Sequence, residues 1–223
     1  MSYTVALVPI RSLHGGKTRL AGILDEPHRS RLVLELARQL LLAVEQAAVA
    51  DELMVLTSDP ALVQSLHVPG GRFQTDVPPG LNAAVNAGRQ TALSSGADRL
   101  LVMFPDLPEV SAADLRAIDQ SRAAVTIIPD RQHDGTNALL LQGASLISDF
   151  DFRYGPGSCL AHREAALSLG QVARVMDVPA MAIDLDTEDD WRRLSPVTRA
   201  RLRNDIGRDQ IIRETQAVLM DHS

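Results

Sequence analysis

Short apolar runs alternate with segments of helical periodicity along most of the chain, and this alternation limits its fold more than any other feature. Runs such as Val5–Val8 and Leu100–Phe104 have the length and composition of buried strands. The segment Arg29–Ala50 instead repeats its apolar residues at helical spacing. Strands that alternate with helices through short connections form mainly parallel sheets that helices cover. We therefore predict an α/β fold, a three-layer sandwich around a mainly parallel sheet.

The other elements are predicted from the same periodicities. Ser111 is a predicted N-cap, with Asp114 at the capping-box position three residues later. Further strands are predicted at 53–57, 73–76, 125–128, 138–141, 172–175 and 181–185. Further helices are predicted at 60–66, 81–95, 112–121, 160–169 and 187–194.

Composition restricts the class of protein. The chain has 223 residues, of which 45% are apolar, so one large domain can bury a substantial core. We predict a domain over residues 1–194 and a helical tail over 195–223 that packs on it. A net charge of −6 without a basic face argues against nucleic-acid binding. One cysteine, no signal pattern and no apolar run of membrane-spanning length indicate a cytoplasmic protein without a membrane partner.

The loop after the first strand has the composition of a phosphate-binding loop. Gly15 and Gly16 allow backbone N–H groups to approach a ligand closely, and Lys17 and Arg19 add two cations. The end of the loop resembles a P-loop, but that motif requires glycine where this chain has Arg11. We predict a nucleoside triphosphate site here, and a solvated loop with two surface cations is the alternative.

Aspartates follow two of the predicted strands. In open α/β sheets, ligands bind beyond the carboxyl ends of the strands. Enzymes that transfer phosphoryl or nucleotidyl groups hold Mg²⁺ there with one or two carboxylates and the substrate phosphates. Asp106 follows the most apolar strand, and Asp184 and Asp186 end the predicted strand 181–185. We predict Asp106 and Asp186 as the metal pair, although the sequence does not decide between Asp184 and Asp186.

A second group of small and hydroxyl-bearing residues comes later in the chain. Thr136, Asn137 and the loop Gly155–Ser158 suit an anion that must be approached closely, although two ordinary turns explain the same pattern. Asn82 could bond a base or ribose, or could cap its helix. Cys159 has no histidine at a readable position to activate it, so it is interpreted as buried filler.

Taken together, short motifs between Val5 and Trp191 resemble those of the 2-phospho-L-lactate guanylyltransferase family, which makes an intermediate of the deazaflavin redox coenzyme. The motifs occur in the family's order. They are Val8-Pro9, Lys17-Thr18-Arg19-Leu20, Thr57-Ser58-Asp59-Pro60, Gly80-Leu81-Asn82, Asp106-Leu107-Pro108, Gly135-Thr136-Asn137-Ala138-Leu139, Phe152-x-Tyr154-Gly155-Pro156-Gly157-Ser158 and Asp184-x-Asp186-Thr187.

The resemblance implies a fold, a reaction and roles for individual residues. The fold is that of nucleotide-diphospho-sugar transferases of the molybdopterin-guanylyl type. The reaction is transfer of GMP from GTP, with Mg²⁺, to a phosphorylated three-carbon acid. The implied catalytic residues are Lys17, Arg19 and Asp106. The implied nucleotide-binding residues are Pro9, Gly15, Gly16, Lys17 and Asn82. Thr136, Gly155 and Ser158 would bind the acceptor, and Asp106 and Asp186 the metal.

The motifs leave several alternatives open. Family members differ in acceptor, which is 2-phospho-L-lactate, phosphoenolpyruvate or 3-phospho-D-glycerate, and the motifs do not separate these acids. A nucleotidyltransferase for a sugar phosphate or molybdopterin, and a nucleotide-binding protein without catalysis, are the alternative functions. A homodimer is compatible with the sequence.

Overall fold

The computed structural model describes residues 2–68 and 70–207, and its centre is a seven-stranded sheet. The spatial order is β3-β2-β1-β4-β6-β5-β7. All neighbouring strands are parallel except at β6, which runs antiparallel to both β4 and β5. The strands are β1 (Thr4–Pro9), β2 (Glu52–Leu56), β3 (Gly71–Gln74), β4 (Arg99–Met103), β5 (Val125–Pro129), β6 (Thr136–Gln142) and β7 (Arg174–Val175).

Helices cover both faces of the sheet, which confirms the predicted three-layer α/β architecture. They are α1 (Glu26–Ala47), α2 (Pro60–Ser65), α3 (Leu81–Ser94), α4 (Ala112–Asp119), α5 (Ala144–Asp149), α6 (Ser158–Ser168), α7 (Glu188–Arg193) and α8 (196–207). Local capping sets several of these boundaries. Asp25 accepts a hydrogen bond from the His28 N–H at the start of α1, and Ser111 and Asp114 form the predicted capping box of α4.

Alternate residues of each central strand belong to different cores. Ala6 and Val8 of β1 pack with α1, α2 and α4, whereas Val5 and Leu7 pack with α3, α5 and α6. Every residue of β1 is buried, as expected for a central strand of a sheet covered on both faces. The result is a rigid platform whose strand ends can carry a site.

A third apolar cluster joins the C-terminal segment to the domain. Leu202 and Ile206 of α8 pack beside Trp191 of α7, against Leu20 and the start of α1. The described part of the predicted tail therefore contacts the domain through buried side chains. The rest of that prediction, residues 208–223, lies outside the described residues.

One predicted element was wrong and one observed helix was not predicted. Residues 181–185 do not form a strand, because Pro179 opens a short 3-10 helix (Pro179–Met181) and the backbone that follows bonds to other loops. The oxygen of Ala182 accepts from Arg131, and the N–H of Leu185 donates to Asp106. Helix α5 was missed, since its six residues offer too short an apolar period. Within 2–68 and 70–207, no helix is long and apolar enough to cross a membrane.

Candidate nucleotidyl-transfer site

A cleft of about 740 Å³ opens at the carboxyl ends of β1, β2 and β4, where ligands bind in open α/β sheets. Of the residues predicted for the site, it brings together Pro9, Gly16, Lys17, Asp106 and Asp186. Its other walls come from residues 10–12, 56–58, 77–81 and 104–105, with Val33, Leu36 and Ala84. The lining does not include Gly15, Arg19, Asn82, Thr136, Gly155 or Ser158.

Lys17 is the central cation of this cleft. Its Nζ lies 2.7 Å from Asp186 Oδ1 and 3.3 Å from Asp106 Oδ2, so both predicted metal ligands converge on one positive charge. Burial opposes the charge of the ammonium, but the two carboxylates outweigh burial and raise the pKa of Lys17. Its backbone is left-handed (φ 53°), a conformation that is costly for a residue with a side chain and is found disproportionately at functional sites.

The loop between Asp184 and Asp186 is hydrogen-bonded directly to the segment that follows β4. The N–H of Leu185 donates to the carbonyl oxygen of Asp106 (2.8 Å), which holds the neighbouring Asp186 beside Asp106. A strand would not have separated Asp184 from Asp186, because residues two apart face the same side. The loop does separate them: Asp186 contacts Lys17, whereas burial, and then the charge of Asp106, raise the pKa of Asp184 to about 6. Asp106 and Asp186 line the cleft, and Asp184 lies half-buried close enough to interact with the charge of Asp106.

Asp59 holds the first loop in place. Its carboxylate accepts from the N–H of Leu13 (2.7 Å), the hydroxyl of Ser12 (3.1 Å) and the N–H of Ala61 at the start of α2 (2.9 Å). Burial opposes the charge of Asp59, but these hydrogen bonds lower its pKa overall. The loop then enters the 3-10 helix Thr18–Leu20, and α1 begins at residue 26, so this backbone is not that of a P-loop, in which the helix follows the lysine at once.

The predicted acceptor residues form a second cluster at the start of α6. Thr136 is the first residue of β6, and its hydroxyl lies 3.0 Å from His162 Nδ1. His162 lies one helical turn after Ser158 in α6. Because β6 is antiparallel, its first residues lie at the same edge of the sheet as the carboxyl end of β4. Asp134 accepts from the N–H groups of Gly157, through its carboxylate, and of Cys159, through its carbonyl oxygen. Thr136 and Ser158 thus share one corner of the fold.

Asn82 is occupied by the segment that leads into this cluster. Its Oδ1 accepts from the Tyr154 N–H (2.7 Å), and its Nδ2 donates to the Tyr154 carbonyl oxygen (3.0 Å). The helix-cap alternative is not observed, since Gly80 is the N-cap residue and Asn82 lies within α3. The sequence showed a polar residue at a helix start, but the partner 72 residues away has no sequence signal.

His162 has a structural role whose partners the sequence did not indicate, because a lone histidine carries no pattern. It is fully buried; its Nε2 accepts from the Arg153 N–H (3.0 Å), so Nδ1 carries the proton and donates to Thr136. Burial lowers the pKa of His162 from 6.5 to about 4. Neutral His162 therefore holds Thr136 and the segment before α6 in one arrangement.

Because His162 is buried and neutral, we expect the stability of the fold to be sensitive to acid. Below pH 6.5 the unfolded chain binds a proton at His162 that the folded chain does not bind until about pH 4. The free energy of unfolding should therefore fall by about 3 kcal/mol from about pH 7 to about pH 4 through this group. In His162→Gln, whose amide can replace both hydrogen bonds, this part of the loss in the free energy of unfolding should be absent. Urea unfolding of both proteins at the two pH values checks this, and equal losses would contradict it.

Comparison with known proteins identifies the family of this fold and cleft. The family profile described as guanylyl transferase CofC like matches residues 4–195. The phosphoenolpyruvate guanylyltransferase of Rubrobacter xylanophilus is 36% identical over 192 residues, which are 85% of this chain and 92% of that protein. The enzyme of the same name from Chloroflexus aggregans is 35% identical over 198 residues, 86% of this chain and 96% of that protein.

Solved structures support the same assignment at the level of the fold. A protein from Desulfovibrio desulfuricans G20, described as a presumed nucleotide-diphospho-sugar transferase, superposes with a TM-score of 0.68 at 18% identity. The superposition covers 96% of this chain and 98% of that one. A 4-diphosphocytidyl-2C-methyl-D-erythritol synthase gives 0.61 at 15% identity, covering 86% and 97%. These matches confirm the predicted nucleotide-diphospho-sugar transferase fold, and the profile and relatives confirm the resemblance seen in the motifs. The chain belongs to the guanylyl transferase CofC-like family.

Proposed function

We propose that this protein transfers GMP from GTP to phosphoenolpyruvate and releases pyrophosphate, in the biosynthesis of the deazaflavin coenzyme. The observation that carries the proposal is the convergence of Lys17, Asp106 and Asp186 in a cleft at the strand ends. Two relatives of the protein are named for this reaction, and the alignment with each covers more than nine-tenths of that relative's length. The choice of phosphoenolpyruvate among the three phospho-acids rests on those names.

The acidic end of the cleft fits a divalent cation that is bound together with a nucleotide. Asp106 and Asp186 already approach one cation, the Lys17 ammonium. Among the residues described, no group of three or more acidic, histidine or cysteine side chains is arranged to enclose a metal. Such a pair of carboxylates matches Mg²⁺, which binds through one or two carboxylates plus substrate phosphates and keeps several waters. When bound, Mg²⁺ would neutralise charge on the phosphates.

In the proposed reaction, a phosphate oxygen of the acceptor attacks the α-phosphorus of GTP. The bond from that phosphorus to the bridging oxygen of the β-phosphate breaks, and pyrophosphate leaves with that electron pair. The acceptor is already anionic, so no general base is needed, and catalysis consists of positioning and charge stabilisation. Lys17 would stabilise charge on the leaving pyrophosphate. The N–H groups around Gly15 and Gly16 and the backbone near Pro9 would contact the nucleotide.

Other predicted contacts lie around this centre. Arg19 is exposed on the 3-10 helix after the loop and would reach the phosphates only from the rim of the cleft. Thr136, Gly155 and Ser158 would receive the acceptor's phosphate or carboxylate. Arg11 and Phe104, which line the cleft, are added to the proposed nucleotide site.

The test is pyrophosphate release from GTP and Mg²⁺ with phosphoenolpyruvate, 2-phospho-L-lactate and 3-phospho-D-glycerate in separate reactions. Glucose 1-phosphate is the control acceptor, and ATP and CTP are the control nucleotides. We expect release with GTP and phosphoenolpyruvate. Release with the sugar phosphate alone would favour a sugar-phosphate nucleotidyltransferase. GTP binding without release for any acceptor would favour a protein that only binds nucleotide.

A further inference from the structure

The acceptor segment, residues 153–158, is attached to three different elements. Its Tyr154 backbone is bound on both sides by the Asn82 amide of α3. The N–H of Arg153 donates to His162 of α6, and the N–H of Gly157 donates to Asp134 between β5 and β6. Each bond uses a backbone group of the segment, so these bonds fix its path whatever side chains it carries.

Asn82 differs from the other two attachments because it comes from the nucleotide side. It is the second residue of α3, directly after Gly80 and Leu81, which line the cleft. The Tyr154 ring packs edge-on against Phe104 (5.0 Å between ring centroids), which also lines the cleft two residues before Asp106. The acceptor segment is thus joined to the nucleotide cleft twice, by a hydrogen-bonded pair and by a ring contact.

The hydrogen-bonding geometry at Asn82 argues against its predicted role as a nucleoside ligand. An amide side chain has one oxygen and one NH₂ group, and both are used on the same peptide backbone at 2.7 and 3.0 Å. An amide that reads a base uses the same two groups in the same paired fashion. Binding a nucleoside that way would require Asn82 to release Tyr154 and leave its partly buried N–H and C=O groups without these partners.

We propose that Asn82 is a positioning residue that sets the acceptor segment relative to the nucleotide cleft, and that it does not contact the nucleoside. This role rests on the proposed function, because it assigns the acceptor to the segment that Asn82 holds. In-line attack requires the acceptor phosphate and the α-phosphorus to be aligned closely, and small misplacements have large costs in rate. A fixed link between α3 and Tyr154 provides that alignment before substrates bind.

The proposal predicts that Asn82→Ala affects the acceptor and spares the nucleotide. We expect the KM for phosphoenolpyruvate to rise by about tenfold or more, with a fall in kcat, since two hydrogen bonds to the segment are lost. The Kd for GTP and Mg²⁺ without acceptor should change by less than about twofold. Asn86→Ala is the matched control: Asn86 lies one turn later on α3, and its side chain donates to the Asn82 carbonyl oxygen and not to the acceptor segment. We expect its kinetics to remain close to those of the wild type.

Asn82→Asp provides a second variant of nearly the same shape. One carboxylate oxygen still accepts from the Tyr154 N–H, but the other replaces the NH₂ donor and is repelled by the Tyr154 carbonyl oxygen, so the KM for phosphoenolpyruvate should rise at least as much as in Asn82→Ala. This variant carries the test if Asn82→Ala does not fold. A weaker Kd for GTP with an unchanged KM for the acceptor would overturn the proposal, as would equal weakening of both.

Hydrogen exchange separates failure of this proposal from failure of the proposed function. If the wild type releases no pyrophosphate with any phospho-acid, the proposed function fails, and the kinetic test does not apply. The Tyr154 N–H should still exchange at least about tenfold faster in Asn82→Ala than in the wild type, with residues of β1 and β4 unchanged. Unchanged exchange at Tyr154 would overturn the positioning role, whatever the activity.

Discussion

Asp106→Asn should lower the turnover number by ~10² or more while the protein remains folded. The Asn side chain has nearly the same shape as Asp, but it lacks the charge that would hold a divalent cation beside the α-phosphate. The backbone bond from Leu185 to the Asp106 carbonyl oxygen does not depend on the side chain, so the Asp186 loop should keep its position. Pyrophosphate release at saturating GTP and phosphoenolpyruvate measures the effect.

The stability of this variant should change little, and this makes the test specific. Burial, and then the charge of Asp106, raises the pKa of Asp184, so part of that rise reflects repulsion between the two acids. Removing one charge relieves part of that repulsion and offsets the weaker contact with Lys17. Asp189→Asn is the control, because Asp189 is exposed and forms only a surface ion pair with Arg193. Near-normal turnover in Asp106→Asn would remove Asp106 from the mechanism.

Periodicity predicted most of the fold because most elements are buried on a regular face. Val5–Val8 and Leu100–Phe104 were recognised as strands, since central strands of a covered sheet read as continuous apolar runs. Residues 181–185 imitate such a run, because Met181 and Leu185 are both buried. They enter separate cores from an irregular loop, and a sequence pattern cannot distinguish that from one strand.

The sequence predicted cleft residues best where they lie at or after the ends of strands. Pro9 ends β1, Lys17 lies in the loop after β1, and Asp106 follows β4. The rule that ligands bind beyond the carboxyl ends of strands therefore places all three at one edge of the sheet. Asp186 lines the cleft although its local structure was mispredicted, and its metal-binding role stays a prediction. The cross-chain bonds were not predictable: Asp59 to Leu13, Asn82 to Tyr154 and His162 to Thr136 join residues far apart in sequence whose pairing depends on the completed fold.

Lys17→Met should lower kcat/KM for GTP by ~10². The structure places the Lys17 ammonium in the cleft between two carboxylates, whereas Arg19, which the sequence predicted equally, is exposed outside the lining. Methionine keeps an unbranched apolar stem without the ammonium group and leaves the strain of the left-handed backbone unchanged, so the comparison chiefly tests the charge. Steady-state pyrophosphate release over a range of GTP concentrations measures the loss.

Two further variants determine what the loss means. Arg38→Met removes an exposed cation of α1 that pairs with Glu35, and we expect no change in kcat/KM. Arg19→Met should lose no more than about tenfold, because a charge at the solvent-exposed rim is screened. If Arg19→Met is as damaging as Lys17→Met, the phosphates lie nearer the rim than this cleft indicates. If Lys17→Met is nearly as active as the wild type, then Lys17 serves only to neutralise Asp106 and Asp186, and the charge that stabilises pyrophosphate comes from another residue.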